Sequence, residues 1–300
     1  AKSTTEPIYH LAVVVDDFEM GVTHIIRGED GIYNTPRQIL IQEAIGAPRP
    51  VYAHMPFILN EDRSKLSKRK QGELVSLSYY RKQGYLPEAM VNFLSLCGWN
   101  PGTDQEILSM DELIEKFDIM KVQKSGAIFN KEKLLWMNKE YIKRLPKERL
   151  EKEISEKLIK KYSYTPELLN KIIPIIVDRI NTFGELEKYV AEGEFDYFFL
   201  SATPVKEMLI WKKDTDFQIP KNNLKIVSEI LDKISDEDFT EEKLKEILMP
   251  KAEELGKGSV LWPLRVALSG KDKSPDPFSL LFILGKNESL KRIQEAEKIL

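Results

Sequence analysis

Two apolar spacings divide the 300 residues of this chain. β-branched runs that stop at acidic residues, "IYHLAVVVDD" and "THIIRGED", mark the first 71 positions. From Gly72 onward the apolar residues recur at helical spacing instead. The first pattern is that of buried parallel strands, the second that of amphipathic helices. A chain patterned in this way is confined to an α/β part followed by an all-α part.

Within the first part, "NTPRQILIQEAIGA" carries the punctuation of a helix. Asn34 or Thr35 can cap it, Pro36 fits its first turn and Gly46 can end it in the left-handed region. The run "RPVYAHMPFIL" follows as a further strand, and a cationic loop comes directly after it. Strand, helix and strand form one βαβ unit, and such sheets bind ligands beyond the carboxyl ends of their strands. Counting "IYHLAVVVDD", about three strands and one helix are expected. That is a small sheet with an apolar edge, so the expectation is that a preceding segment or another chain completes it.

The second part is expected to be helical throughout. "GELVSLSYYRKQGY", "LPEAMVNFLSLCG" and "SMDELIEKF" lead to a charged stretch interrupted at Pro146, and Ser109 with Glu112 forms a capping-box pattern. Beyond it, "YTPELLNKIIPIIVDRI", "ATPVKEMLIWKK", "NNLKIVSEILDKI" and "FTEEKLKEIL" share helical spacing, with Thr165-Pro166 and Thr203-Pro204 as helix starts. The boundaries predicted are 1–71, 72–145 and 146–300.

Composition narrows the function classes. A net charge of −3 means that any nucleic-acid surface must be a local patch. No apolar run reaches the roughly 20 residues of a membrane span, and the first ten residues lack the layout of a secretory signal. The single cysteine, Cys97, sits in an apolar helical context and reads as a structural thiol of a reducing compartment. Three dispersed histidines form no metal-ligand pattern; His54 reads as a core or loop residue rather than an acid–base group.

The densest charge is "RSKLSKRK", residues 63–70. Lys65 and Lys68 can face one anion if the loop closes over it, although a solvated basic loop has the same composition. Arg27 ends a strand beside Glu29 and Asp30, where it can hold a substrate carboxylate or pair internally with either acid. Tyr9 and His10 open the first apolar run and are either packing residues or reporters of a small ligand. Arg265 lies in "LWPLRVALSGKDKSPDPF", where a cation beside proline-fixed loops can snorkel, pair, or contact unstacked RNA bases.

In order, "IYHLAVVVDD", "GVTHIIRGED", "NTPRQILIQEAIG", "YAHMPFIL" and "KLSKRKQG" resemble the second half of a class I glutamyl-tRNA synthetase catalytic domain. "KLSKR" is similar to that family's KMSKS signature. The tail "LWPLRVALSGKDKSPDPFSLLFILGKNESLKRI" resembles the C-terminal end of the bacterial-type enzyme. The resemblance implies the C-terminal part of a Rossmann-type catalytic domain, a helical stem-contact region and an all-helical anticodon-binding domain. It implies glutamate–tRNA ligase activity in the cytoplasm, with ATP and Mg²⁺, glutamate and tRNA(Glu) as partners, no membrane, and a monomer when complete.

By the same resemblance, Lys65, Ser67 and Lys68 hold the ATP phosphates, and the two lysines serve catalysis. Backbone near Ile58 meets adenine. Tyr9 and Arg27 match the positions for the glutamate side chain and its carboxylate. Glu29 and Asp30 lie near the tRNA acceptor end, and Arg265, Ser274 and Pro275 match the anticodon-reading part. Val13 departs from the family, where "YHLAN" often carries Asn. The HIGH signature is absent from this sequence, so the chain alone is expected to be a fragment unable to form adenylate. The alternative is a non-catalytic tRNA-binding module.

Overall fold

The first apolar run is a helix, which corrects the strand expected from its β-branched composition. α1 (Tyr9–Glu19) packs against α2 (Thr35–Ala44), and Val14 is buried. Leu11, Val14, Val15 and Phe18 also satisfy helical spacing, and tertiary packing overrides the weak intrinsic preference of valine for strands. Asp16 and Asp17, expected to end a strand, continue the helix instead, with the Met20 N–H donating to Asp16 O at 2.9 Å. The chain then reverses at Gly21, whose φ of +67° favours glycine.

The βαβ unit is present. β1 (His24–Gly28) pairs in parallel with β2 (Val51–Met55), and α2 lies between them in sequence. A 3₁₀ turn, Glu29–Asn34, joins β1 to α2. The asparagine before α2 makes no side-chain cap, but Pro36 does occupy the first turn and Gly46 follows the helix with φ +71°.

The expected single run "VYAHMPFIL" is broken at Pro56-Phe57. Proline cannot donate to a ladder and interrupts the strand. β3 (Ile58–Leu59) therefore leaves the first sheet and pairs in parallel with β4 (Ala127–Ile128).

The structure, a computed structural model, describes residues 6–67 and 72–300 and divides into two units, Ala1–Arg144 and Leu145–Leu300. The first unit continues through α3 (Leu77–Lys82), α4 (Pro87–Leu96), α5 (Met110–Lys116) and α6 (Lys131–Lys143). Met90, Phe93, Phe129, Leu134 and Met137 form its main core. Asn92 and Asn138 are buried but useful there, accepting from the Leu108 and Leu86 N–H groups at 2.9 and 2.7 Å. The capping box of Ser109 and Glu112 is formed at the start of α5.

The second unit is helical among the described residues. It comprises α7 (Lys147–Leu158), α8 (Pro166–Arg179), α9 (Phe183–Glu192), α10 (Asp196–Phe199), α11 (Gln218–Asp232), α12 (Glu241–Leu255), α13 (Lys257–Ser269) and α14 (Pro277–Ile299). Thr165 caps α8 as its sequence predicts. Thr203-Pro204 starts no α-helix, however; the segment "ATPVKEMLIWKK" makes only a 3₁₀ turn at Lys206–Met208. No helix among the described residues is long and apolar enough to cross a membrane.

One cation ties this unit together. Arg292 is 3% exposed, and its Nη1 donates to Tyr197 O and Leu268 O at 2.8 and 2.6 Å. Its Nη2 donates to Leu200 O at 2.8 Å and its Nε to Glu288 Oε1 at 2.7 Å. The three carbonyls come from the ends of α10 and α13, where helices leave acceptors unsatisfied. Arg292→Met keeps the volume but strands these carbonyls, and should cost this unit about 3 kcal/mol in urea unfolding. A change within about 0.5 kcal/mol would contradict that role.

Candidate functional site

The carboxyl end of β1 gathers most of the charged candidates of the first unit. Arg27 and His54 are register partners in the parallel ladder, so their side chains leave the same face. Arg27 Nη2 donates to Gly31 O at 3.0 Å and to Thr35 Oγ1 at 2.8 Å. Its Nε lies 3.4 Å from His54 Nε2, and its guanidinium is 5.6 Å from the centre of the Tyr52 ring. A Cβ at Gly31 would come within 2.7 Å of Arg27 Cδ, so a side chain there would push Arg27 out of this position.

The two acids beside Arg27 are engaged elsewhere. Glu29 Oε1 accepts from the Phe57 N–H at 3.2 Å, and Asp30 Oδ2 pairs with Lys65 Nζ at 3.1 Å. Of the alternatives left open for Arg27, internal pairing with these acids is therefore not what forms. Lys65 also lies 3.8 Å from the centre of the Phe57 ring. Its ion pair is exposed on both sides, so it is weak, at most about 1 kcal/mol, and readily exchanged for a stronger anion.

The basic loop begins as a tight reversal. Asn60 N–H donates to Ser64 O at 2.8 Å, and Leu66 N–H to Ile58 O at 3.1 Å. Arg63 takes φ +61° at the tip, and the Ser64 N–H bonds Asp62 Oδ1 at 2.8 Å. This arrangement places Lys65 opposite Leu59 and uses the carbonyl of Ile58. Ser67 is half-buried, and Lys68 lies outside the described residues. Tyr9, at the first turn of α1, is 60% exposed and makes no hydrogen bond to Arg27. Among the described residues no cluster of three His, Cys, Asp or Glu side chains is placed to hold a metal ion.

In the second unit, α13 and the loop after it form a second candidate site. Arg265 Nη2 donates to Asp272 O at 2.7 Å, and its guanidinium lies 4.7 Å from the centre of the Trp262 ring. Its Nε is buried without a partner. The loop turns at Gly270, φ +68°, and Ser269 Oγ accepts from the Lys271 N–H at 3.2 Å. Ser274 and Pro275 are half-buried, with Ser274 Oγ 3.3 Å from Pro275 O, and Asp276 then caps α14. Arg265, Ser274 and Pro275 thus belong to one loop-and-helix element.

Residue patterns missed Gly31, His54, Phe57 and Trp262 as parts of these sites. Thr35 was read only as a helix cap, because its hydroxyl had no sequence signal linking it to Arg27. Cys97 is half-buried, and burial pushes its thiol up to about 11 against the lowering pull of Lys133. Its thiolate is scarce until the pH nears that value. At pH 8 the folded chain should alkylate about a hundredfold more slowly than an ordinary thiol, and denaturant should remove the difference. Equal rates with and without denaturant would contradict it.

Comparison with known proteins matches both parts of the chain to family models. Residues 1–136 match the family described as tRNA synthetases class I (E and Q), catalytic domain, and residues 138–297 match the anticodon binding domain. The chain is 40% identical over 302 residues to a glutamate–tRNA ligase of Thermodesulfovibrio yellowstonii, spanning 98% of this chain and 62% of the relative. It is 39% identical over 305 residues to that of Carboxydothermus hydrogenoformans, spanning 97% and 60%. A crystal structure of a glutamate tRNA ligase from Elizabethkingia meningosepticum, in complex with its amino acid, superposes with a TM-score of 0.83 at 33% identity. That match covers 98% of this chain and 60% of the other. The chain thus spans about 60% of the length of the relatives it matches. With both family domains matched in succession, the chain belongs to the glutamyl-tRNA synthetase family of class I aminoacyl-tRNA synthetases.

Proposed function

We propose that this chain is part of a glutamate–tRNA ligase that activates glutamate with ATP and passes the glutamyl group to tRNA(Glu). The observation that carries the reading is the convergence at the end of β1. Arg27 is fixed there by a backbone carbonyl, while Lys65 reaches the adjacent turn through a weak, exchangeable pair.

In this reading Arg27 binds a carboxylate of glutamate, with Tyr9 toward its side chain. The α-carboxylate oxygen attacks the α-phosphorus of ATP, the bond to the β,γ-phosphates breaks, and pyrophosphate leaves. Lys65, Ser67 and Lys68 stabilise the negative charge that moves onto the leaving phosphates. Lys65 exchanges Asp30 for phosphate, and backbone near Ile58 contacts adenine. The 3′-terminal hydroxyl of tRNA then attacks the activated carbonyl, and AMP leaves. Glu29 and Asp30 border the acceptor end. Mg²⁺ would accompany the nucleotide phosphates, its usual mode of binding, and would neutralise part of their charge.

The proposed division of labour is a catalytic segment at 1–71, a stem-contact region at 72–145 and an anticodon-reading region at 146–300. Arg265, Ser274 and Pro275 contact unstacked anticodon bases by hydrogen bonding and stacking, the usual mode for single-stranded RNA. The reaction belongs to the cytoplasm, and the complete protein acts as a monomer. The HIGH signature is missing from this sequence, so the chain alone binds tRNA without forming adenylate, as the non-catalytic alternative would also require.

Pyrophosphate exchange separates these roles. This chain alone should stay at background, and in the complete ligase Lys68→Ala should slow exchange at least about a hundredfold while tRNA affinity changes less than about threefold. The reverse pattern would reassign the loop to RNA contact. Filter binding tests the second site: Arg265→Gln should weaken binding of tRNA(Glu) about tenfold and reduce discrimination against other anticodons. Equal affinity of the unaltered chain for tRNAs with unrelated anticodons would overturn the Arg265 assignment.

A further inference from the structure

Arg27 is held on several sides, and one contact fixes more than position. Nη2 is committed to Gly31 O and Thr35 Oγ1, at 3.0 and 2.8 Å. Those bonds anchor one end of the guanidinium but leave it free to pivot about that end. The Nε contact to His54 Nε2, at 3.4 Å, sets the plane. A guanidinium recognises a carboxylate through a planar fork, so its plane decides whether two parallel bonds can form.

The Arg27 contact also selects the chemical state of His54. Arginine only donates, so the Nε contact needs a bare His54 Nε2. Thr35 Oγ1 lies 3.2 Å from the same nitrogen and 2.9 Å from Gly31 O, and its single proton can be given to either. With the imidazole proton on Nδ1, a bare Nε2 accepts from Arg27 Nε and can also take the Thr35 proton, in which case Gly31 O keeps only its bond from Arg27 Nη2. A proton on Nε2 would place two donors face to face and free the Nε end of Arg27, leaving only the Nη2 bonds. The imidazole is also parallel to the Tyr52 ring, with centroids 6.3 Å apart and planes 2° apart, which limits rotation of the ring.

We propose that His54 is a positioning residue for glutamate recognition: held as the Nδ1–H tautomer, it orients the Arg27 guanidinium toward the substrate carboxylate. The inference rests on the assignment of Arg27 to that carboxylate. His54 itself touches neither substrate nor reacting atoms. The role is distinct from packing, because an apolar residue of similar size fills the space without supplying an acceptor.

Long-range ¹H–¹⁵N spectra of this chain read the tautomer directly, and the sequence has only three histidines to assign. His54 should appear as Nδ1–H, and Arg27→Gln should abolish that preference. A dominant Nε2–H form, or a spectrum unchanged by Arg27→Gln, would overturn the coupling. Calorimetric titration of the complete ligase with L-glutamate supplies the second readout. His54→Leu should weaken binding roughly tenfold, the usual effect of losing one hydrogen bond to a charged group, whereas His54→Gln should stay within about twofold. Equal losses in both variants would reduce His54 to packing and overturn the proposal. Absence of glutamate binding to the complete ligase would overturn the carboxylate role of Arg27, and the spectra would still judge the His54–Arg27 contact by itself.

Discussion

The parallel register of β1 and β2 is the constraint on which the first unit depends. It sets Arg27 directly opposite His54 and sends the chain after Arg27 into a 3₁₀ turn whose Gly31 carbonyl folds back on the guanidinium. The helix that must cross between parallel strands then delivers Thr35 to the same cation. A one-residue slip would send every β2 side chain to the other face and dismantle the arrangement. The site is a consequence of strand pairing, with loop chemistry added at its edge.

The second unit is organised on different terms. Its helices bury aliphatic faces in the ordinary way, but the ends of α10 and α13 are joined by the hydrogen bonds of one buried arginine. That cation sits beneath the segment that carries Arg265 and the Gly270 turn. Arg265 in turn grips the carbonyl of Asp272, and Lys271 of the loop reaches Gly193 O, so the loop is held from the helix side as well as by its own residues. A rigid scaffold presenting a loop in this manner suits recognition of a flexible, unstacked strand.

The sequence was informative where chemistry and local pattern coincide. The βαβ unit, the helical second half, the Ser109–Glu112 capping box and the turn at Gly46 all follow from spacing and punctuation. It misled at "AVVV", where three valines favour a strand but packing against α2 selects a helix. It misled again at Thr203-Pro204, where a good start signal precedes only a 3₁₀ turn. The ordered motifs pointed to Arg27 and Lys65, yet not to Gly31, Thr35 and His54 around Arg27. Those roles depend on contacts between residues up to 27 positions apart, which no local pattern encodes.

The central claim is that the caged guanidinium of Arg27 receives the carboxylate of glutamate. The side-chain Nε–H signals of ¹⁵N-labelled arginine report on it most directly, because each guanidinium is observed separately. On addition of L-glutamate, the Arg27 signal should shift in a saturable manner while that of Arg265 stays in place. Saturation of glutamate binding with the Arg27 signal unmoved would contradict the account.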